Sequence, residues 1–162
     1  MNNTDHEIGI ALSHYHQKLG PQFVVIAFDF TKFDNVAQYN ILQDSISTRS
    51  NDLALFLSTK DYIHYIIRIK KIKILDSQAR GGVQRYALVF LLPNDIHLNH
   101  SYFDEIYKDI QQKLNQGKSV RQTIQSWHQR INEQFGFIRD SEKVEIVKRF
   151  GTTRRSTQYD LL

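Results

Sequence analysis

The first quarter of the chain alternates apolar and polar residues with a period of two and then changes to a helical period. Residues 8–16 alternate in this way, which predicts a strand. Gly20 and Pro21 interrupt the pattern, and residues 23–28 begin a second strand, so the two strands form a hairpin. The second strand is apolar on both faces. We therefore expect it to lie inside a sheet with a layer packed on each side.

The period changes to that of a helix after this hairpin. Asp34 or Asn35 is available as the N-cap of a helix of about three turns. Four apolar residues share one stripe of that helix: Val36, Tyr39, Leu42 and Ile46. Residues 53–57 are ambiguous between a short buried strand and a further helical turn, and they stay unassigned.

Strand-like alternation returns over residues 62–74 and slips by one position at Lys70 and Lys71. A slip of one residue exchanges the faces of a strand, so we expect a bulge or tight turn there. Residues 76–82 have the composition of a turn, and residues 86–92 form another strand that is apolar on both faces.

Two amphipathic helices follow. The first begins near Ser101, ends at Gly117 and carries the stripe Phe103, Ile106, Tyr107, Ile110 and Leu114. The second begins at Ser119, ends at Gly136 and carries the stripe Val120, Ile124, Trp127, Ile131 and Phe135. The order of elements predicts an α+β fold, an α/β/α sandwich. Its central antiparallel sheet has about five strands, with one helix on one face and the two C-terminal helices on the other.

The length of 162 residues bounds the chain to one domain, which we place at residues 1–138. Residues 139–162 are a C-terminal extension, with a short helix at 141–150 followed by a flexible basic tail. This extension holds six Lys or Arg against four Asp or Glu, so it carries half of the net charge of +4.

The chain contains no cysteine, which excludes disulfide frameworks, thiol catalysis and thiolate metal sites. Its N-terminus lacks the basic and apolar regions of a secretory signal, and its apolar runs fall far short of a bilayer span. We therefore expect a cytoplasmic location.

No motif in the sequence indicates a catalytic mechanism, so we expect no catalytic residues, no cofactor and no metal. Two histidine groups are candidate metal ligands: His14 with His16, and Asp95 with His97 and His100. Neither supplies the four ligands at fixed spacing that a structural zinc site needs. The chain also lacks the nucleophile elbow and the phosphate-binding loop.

One run of basic residues lies beside two tyrosines. The cations are Arg68, Lys70, Lys71 and Lys73, and the aromatic neighbours are Tyr62 and Tyr65. Such a patch can follow nucleic-acid phosphates, but lysines also protect an edge strand from aggregation. Arg154 and Arg155 could similarly hold the tail near anionic lipid headgroups.

Two stretches of the chain resemble the longin domain, a profilin-like sandwich. They are residues 10–15 followed by Leu19, Gly20 and Pro21, and residues 79–82 before the strand at 86–92. The similarity is closest to longin-like proteins encoded in archaea related to the eukaryotic lineage, and it spans residues 7 to about 136. The chain departs from the membrane-fusion members of the family, because no heptad-bearing helix follows the domain.

The resemblance implies a non-catalytic adaptor domain that acts in small-GTPase regulation or vesicle trafficking, as a homodimer or as a heterodimer with a related domain. We expect its contacts on the first helix, at Val36 and Tyr39, and along an exposed edge strand at residues 62–69. The remaining partner-binding candidates are the tyrosines and cations named above. The alternative is a nucleic-acid-binding protein that uses residues 68–73 with the tail, and peripheral membrane contact through the tail also stays open.

Overall fold

A five-stranded antiparallel sheet forms the centre of the computed structural model, which describes residues 7–47, 52–76, 80–96 and 99–141. The strands are β1 (Gly9–His16), β2 (Gly20–Ala27), β3 (Asp52–Ser58), β4 (His64–Leu75) and β5 (Val83–Pro93). Their spatial order is β2-β1-β5-β4-β3, so β2 and β3 are the two edges. Each neighbouring pair is antiparallel.

Three helices cover the two faces of this sheet. They are α1 (Asn35–Ser47), α2 (His100–Asn115) and α3 (Val120–Ser141). The face that carries Ala11, Ile67 and Val89 packs against α1 and is called the α1 face. The opposite face, with Leu12 and Phe90, packs against α2 and α3 and is called the two-helix face. The predicted α+β class and the distribution of its helices are confirmed.

Helix α1 begins where Asp34 caps it, because the Asp34 carboxylate accepts a hydrogen bond of 2.8 Å from the Ala37 amide. The buried side of α1 consists of small or medium residues, Ala37, Ile41 and Ser45. Within the buried layer the Ser45 hydroxyl lies 2.7 Å from that of Ser13 on β1. The apolar stripe read from the sequence is therefore not the buried one.

Strand β2 lies at an edge of the sheet, so its predicted place inside the sheet is wrong. The strand is apolar on both faces because helices cover both of its faces, and not because it has a neighbouring strand on each side. Val25 and Ala27 pack into the two-helix core, while Phe23 packs against the core of the α1 face. The prediction of a layer on each side is confirmed.

Strand β4 runs without the predicted bulge. Its pairing with β5 continues in one register from Tyr65 to Leu75. The apparent slip arises because the covered face of β4 changes along the strand. Ile67 and Ile69 are buried on the α1 face, whereas Ile72 is buried on the two-helix face. Strand β4 is also an interior strand over most of its length, since β3 pairs with it as far as Lys70.

The ambiguous segment 53–57 is a strand, and it lies within the edge strand β3. Because β3 covers β4 only to Lys70, the last residues of β4 have no neighbouring strand on that side. Three side chains spaced four residues apart on α2 form hydrogen bonds with this free edge in place of a neighbouring strand. The Tyr107 hydroxyl donates to the Lys71 carbonyl, while the Gln111 and Asn115 side chains accept from the amides of residues 73 and 75.

The ends of α2 and α3 differ in part from the prediction. The cap of α2 is Asn99, whose side chain accepts from the Ser101 amide, rather than Ser101 itself. Gly117 follows α2 with a φ of +80°, as the prediction of a glycine C′ residue requires. Helix α3 does not end at Gly136 but continues to Ser141, and residues 142–150 of the predicted short helix lie outside the described residues.

The segment before β1 is tied to α3 by one side chain. Asn132 accepts a hydrogen bond of 2.8 Å from the Ile8 amide and donates one of 2.7 Å to the Ile8 carbonyl. Glu7, one residue earlier, lies 2.8 Å from His128 on α3 and 3.5 Å from Lys32 beyond β2. These contacts join the segment to elements on both faces of the sheet. None of the described helices is both long and apolar enough to cross a membrane.

Candidate interaction surface

The outer side of α1 carries apolar and uncharged polar residues and is almost without charge. Val36 is 69% exposed and Tyr39 is 61% exposed, one helical turn apart. The whole helix contains a single charged residue, Asp44. The small residues on its inner side let α1 lie close to the sheet, and the larger apolar residues consequently point outward. Both sequence-predicted contact residues on this helix are therefore accessible.

The outer edge of β3 is the second apolar surface. Phe56 is 75% exposed, while Leu55 and Leu57 are half-buried against the core of the α1 face. The seven residues of β3 include one charged residue, Asp52, and no proline. Natural edge strands are usually protected by lysine, proline or a bulge. This edge carries no lysine and no proline.

The turn between β3 and β4 carries an exposed tyrosine in a left-handed conformation. Tyr62 has a φ of +64° and is 83% exposed. A positive φ is costly for a tyrosine, and here hydrogen bonds fix the turn: the Tyr62 amide donates to the Thr59 carbonyl, and the Ile63 amide donates to the Thr59 hydroxyl. Tyr65, by contrast, is only 1% exposed, and its hydroxyl donates to the Glu7 carbonyl. Of these two candidate tyrosines, only Tyr62 is at the surface.

The four cations of β4 do not lie on one face of the sheet, because successive residues of a strand point to opposite faces. Arg68 and Lys70 lie on the two-helix face. The Arg68 guanidinium is 4.4 Å from the centre of the Phe103 ring, and Lys70 Nζ is 3.2 Å from Asp104 and 4.7 Å from the centre of the Tyr107 ring.

Lys71 lies on the α1 face and binds the end of α1. Its amine donates to the carbonyls of Ser45 and Ile46, and burial lowers the pKa of Lys71. Lys73 lies further along β4 and is exposed. Together with α2, the three lysines line a cleft of about 440 Å³ beside the open part of the β4 edge. Arg154 and Arg155 lie outside the described residues.

The histidine candidates do not converge. The His14 ring stacks on Tyr86 with centroids 5.7 Å apart, and burial followed by the nearby His16 lowers the pKa of His14. His97 lies outside the described residues. Within the parts of the chain that the structure describes, no three His, Asp or Glu residues lie close enough together to hold a metal ion.

A hydroxyl and an imidazole approach each other at the end of the β3–β4 hairpin. Ser58 Oγ is 2.7 Å from His64 Nδ1 at the rim of a shallow depression of about 370 Å³. The two residues are directly paired across the strands, so the contact follows from the register. Both side chains are exposed.

Sequence reasoning missed two features of these surfaces. One is the edge strand β3, for which the available signal was an apolar run with no lysine or proline. The other is the pairing of His128 with Glu7, in which both side chains are half-buried. No local pattern links two residues that are 121 positions apart.

Comparison with protein-family models and with curated proteins identifies no relative. No protein-family model matches the chain, and no curated protein matches it significantly.

Proposed function

We propose that the protein is a non-catalytic interaction domain of the longin type that binds a protein partner of the small-GTPase class. The observation that carries this proposal is the exposure of large apolar side chains on the outer side of α1. Val36 and Tyr39 are exposed there, on a helix with one charged residue in thirteen.

This composition is that of the centre of a protein interface rather than of a solvated surface. About a quarter to a third of an ordinary surface is charged, whereas interface centres are depleted of charge and enriched in tyrosine. Burying an apolar side chain of this size contributes about 1.5–3 kcal/mol. Val36 and Tyr39 can therefore supply a large part of the affinity for a partner.

The architecture supports the longin-type assignment. A five-stranded antiparallel sheet with one helix on one face and two on the other is what the resemblance implied. The resemblance also implies action in GTPase regulation or trafficking through protein contacts. The small-GTPase class of partner comes from the resemblance, and the contact residues come from the exposed side of α1.

The proposal is tested by binding to a panel of small GTPases loaded with either GDP or a non-hydrolysable GTP analogue. We expect the full chain to bind at least one of them, and the double variant V36S/Y39A to bind at least tenfold more weakly. The control is Lys118→Ala, in the exposed turn between α2 and α3, which should leave binding unchanged. Circular dichroism checks that each variant is folded. The absence of binding at about 100 µM, or equal binding by the double variant, would refute the proposal.

Nucleic-acid binding is a second candidate function, and the basic cleft beside α2 favours it. Lys70, Lys71 and Lys73 line that cleft. Two of the three amines already have protein partners, Lys70 at Asp104 and Lys71 at the end of α1, which weakens the case. Fluorescence anisotropy with labelled DNA and RNA at two salt concentrations tests this function. Binding that falls steeply with salt supports it, and no binding at low salt refutes it.

A further inference from the structure

The cleft beside the open part of the β4 edge brings lysines of β4 together with polar side chains of α2. Its volume of about 440 Å³ lies in the range of pockets that hold small molecules, about 300–1,000 Å³. The lining consists of Lys70, Lys71, Lys73, Tyr107 and Gln111. Three of these five residues carry a positive charge, so the ligand that suits this cleft is an anion.

Lys71 contributes a positive charge that the described part of the chain does not neutralise. Its amine donates to the carbonyls of Ser45 and Ile46, which are uncharged, and no described carboxylate forms an ion pair with it. The amine is partly buried, and this burial lowers the pKa of Lys71. An ammonium group has three donors, so one remains for a ligand. An anion bound there would stabilise a cation that now has only neutral partners.

Lys73 is a second lysine that forms no ion pair with a described carboxylate. It is exposed, and it lies beyond the part of β4 that β3 covers, since that pairing ends at Lys70. Residues two positions apart on a strand point to the same face and lie about 7 Å apart. The amines of Lys71 and Lys73 can therefore each contact a different phosphate group of one ligand with two linked phosphates.

Lys70 is less available to a ligand, because Asp104 already neutralises it. The Lys70 amine is 3.2 Å from the Asp104 carboxylate and 4.7 Å from the centre of the Tyr107 ring. Three lysines and one carboxylate still leave the cleft with a net positive charge. A nucleic-acid strand needs a row of cations that follows several phosphates. Two amines without an acidic partner favour a compact anion instead.

We propose that this cleft binds a small compound that carries two or more linked phosphate groups, with Lys71 and Lys73 as its main contacts. The site goes beyond the proposed function, because it takes a different class of ligand and does not use Val36 or Tyr39. A ligand in the cleft lies between the open part of β4, α2 and the end of α1, so its binding should be felt by all three elements.

Isothermal titration calorimetry with inorganic diphosphate at low ionic strength tests the proposal. We expect the full chain to bind one diphosphate with a Kd below about 1 mM. Orthophosphate should bind at least fivefold more weakly, because a single phosphate group cannot contact both amines. Lys73→Ala and Lys71→Gln should each weaken diphosphate binding at least fivefold. Lys118→Ala removes the same charge from the exposed turn between α2 and α3, and it should change the Kd by less than twofold.

Asp104→Asn gives a test that a loss of folding cannot imitate, because it should strengthen binding. The substitution releases Lys70 from its ion pair, so we expect diphosphate to bind at least threefold more tightly. The matched control is Glu105→Gln, which removes the same charge from the next residue of α2, where the side chain is exposed. It should change the Kd less than Asp104→Asn does, and equal effects would overturn the part assigned to Lys70.

Amide chemical shifts in NMR spectra locate the bound diphosphate. They should change over residues 70–75 and in the last turn of α1, and they should stay constant in β2. No binding of diphosphate at about 1 mM, or equal binding by Lys73→Ala, overturns the proposal. A single-stranded oligonucleotide that binds through Lys73 at least tenfold more tightly, at an equal concentration of phosphate groups, also overturns it in favour of a nucleic acid. The V36S/Y39A variant should bind diphosphate as the native chain does, so the outcome is independent of the proposed function.

Discussion

Replacing Asn132 by alanine tests whether one side chain holds the start of β1 to α3. The Asn132 amide satisfies both the N–H and the C=O of Ile8, a residue with no exposed surface. A buried backbone group that loses its partner costs about 1–3 kcal/mol. Because Asn132 itself is only partly buried, water reaches part of the site. We therefore expect Asn132→Ala to lower the free energy of unfolding by roughly 2–4 kcal/mol.

Urea denaturation followed by circular dichroism measures this loss directly. For a domain of this size, about 3 kcal/mol corresponds to a fall of roughly 6–12 °C in Tm. Asn132→Leu keeps a side chain of similar volume without its hydrogen bonds, so it should lose nearly as much stability as the alanine variant. The matched control is Gln129→Ala on the same helix, whose side chain is exposed and reaches Glu133, and it should change stability by less than about 0.5 kcal/mol.

Hydrogen exchange distinguishes local opening at Ile8 from a general loss of stability. The Ile8 amide should be protected in the native chain and should exchange much faster in Asn132→Ala, while amides in the middle of β5 stay protected. If Asn132→Ala stays within about 0.5 kcal/mol of the native stability, or if the leucine variant is as stable as the native chain, the reasoning is refuted.

Three further predictions concern the core and its titration. A Cβ added at Gly9 would lie 2.4 Å from the Phe28 ring, so Gly9→Ala should cost about 1–3 kcal/mol in urea denaturation, and a neutral result would contradict the packing. The indole of Trp127 donates to Asp109 at 2.7 Å, so Asp109→Ala should shift the emission of this single tryptophan and lower stability by about 1–3 kcal/mol; unchanged emission would contradict it. Burial lowers the pKa of His14 in the folded chain below its ordinary value of 6.5, so the unfolded chain gains a proton first as the pH falls. The contribution of His14 to stability is therefore fully present above about pH 6.5 and is lost as the pH drops toward the folded-state pKa of His14. The loss of Tm between about pH 7.5 and about pH 5.5 should be smaller in His14→Gln, and an equal loss in both proteins would refute this.

The layers of the fold follow from the sequence because strand and helix periods are local properties. The stripe of α2, and that of α3 as far as Ile131, predicted their buried sides correctly, since large apolar residues such as Phe103 and Trp127 need a core to accommodate them. The Phe135 side chain lies outside the described part of the structure. The same reasoning selected the wrong side of α1. There the helix approaches the sheet through Ala37 and Ser45, so its larger apolar residues remain outside.

The position of each strand in the sheet could not be predicted in this way. Whether a strand lies at an edge depends on pairing between distant residues, as between β1 and β5. The slip in β4 shows the same limit, because a change of the covering layer at Lys71 produces the same local pattern as a bulge. The candidate surface was consequently half predicted: Val36 and Tyr39 came from the pattern, whereas the edge around Phe56 required the strand order.

The side chains of α2 that bond the open part of β4 have a consequence for synthesis of the chain on the ribosome. Strand β4 is complete at Leu75, but Tyr107, Gln111 and Asn115 emerge some thirty to forty residues later. During that interval the backbone of residues 71–75 has no partner on this side, and it can pair with the same segment of another nascent chain. The helix thus ends a period of vulnerability to aggregation as soon as it docks.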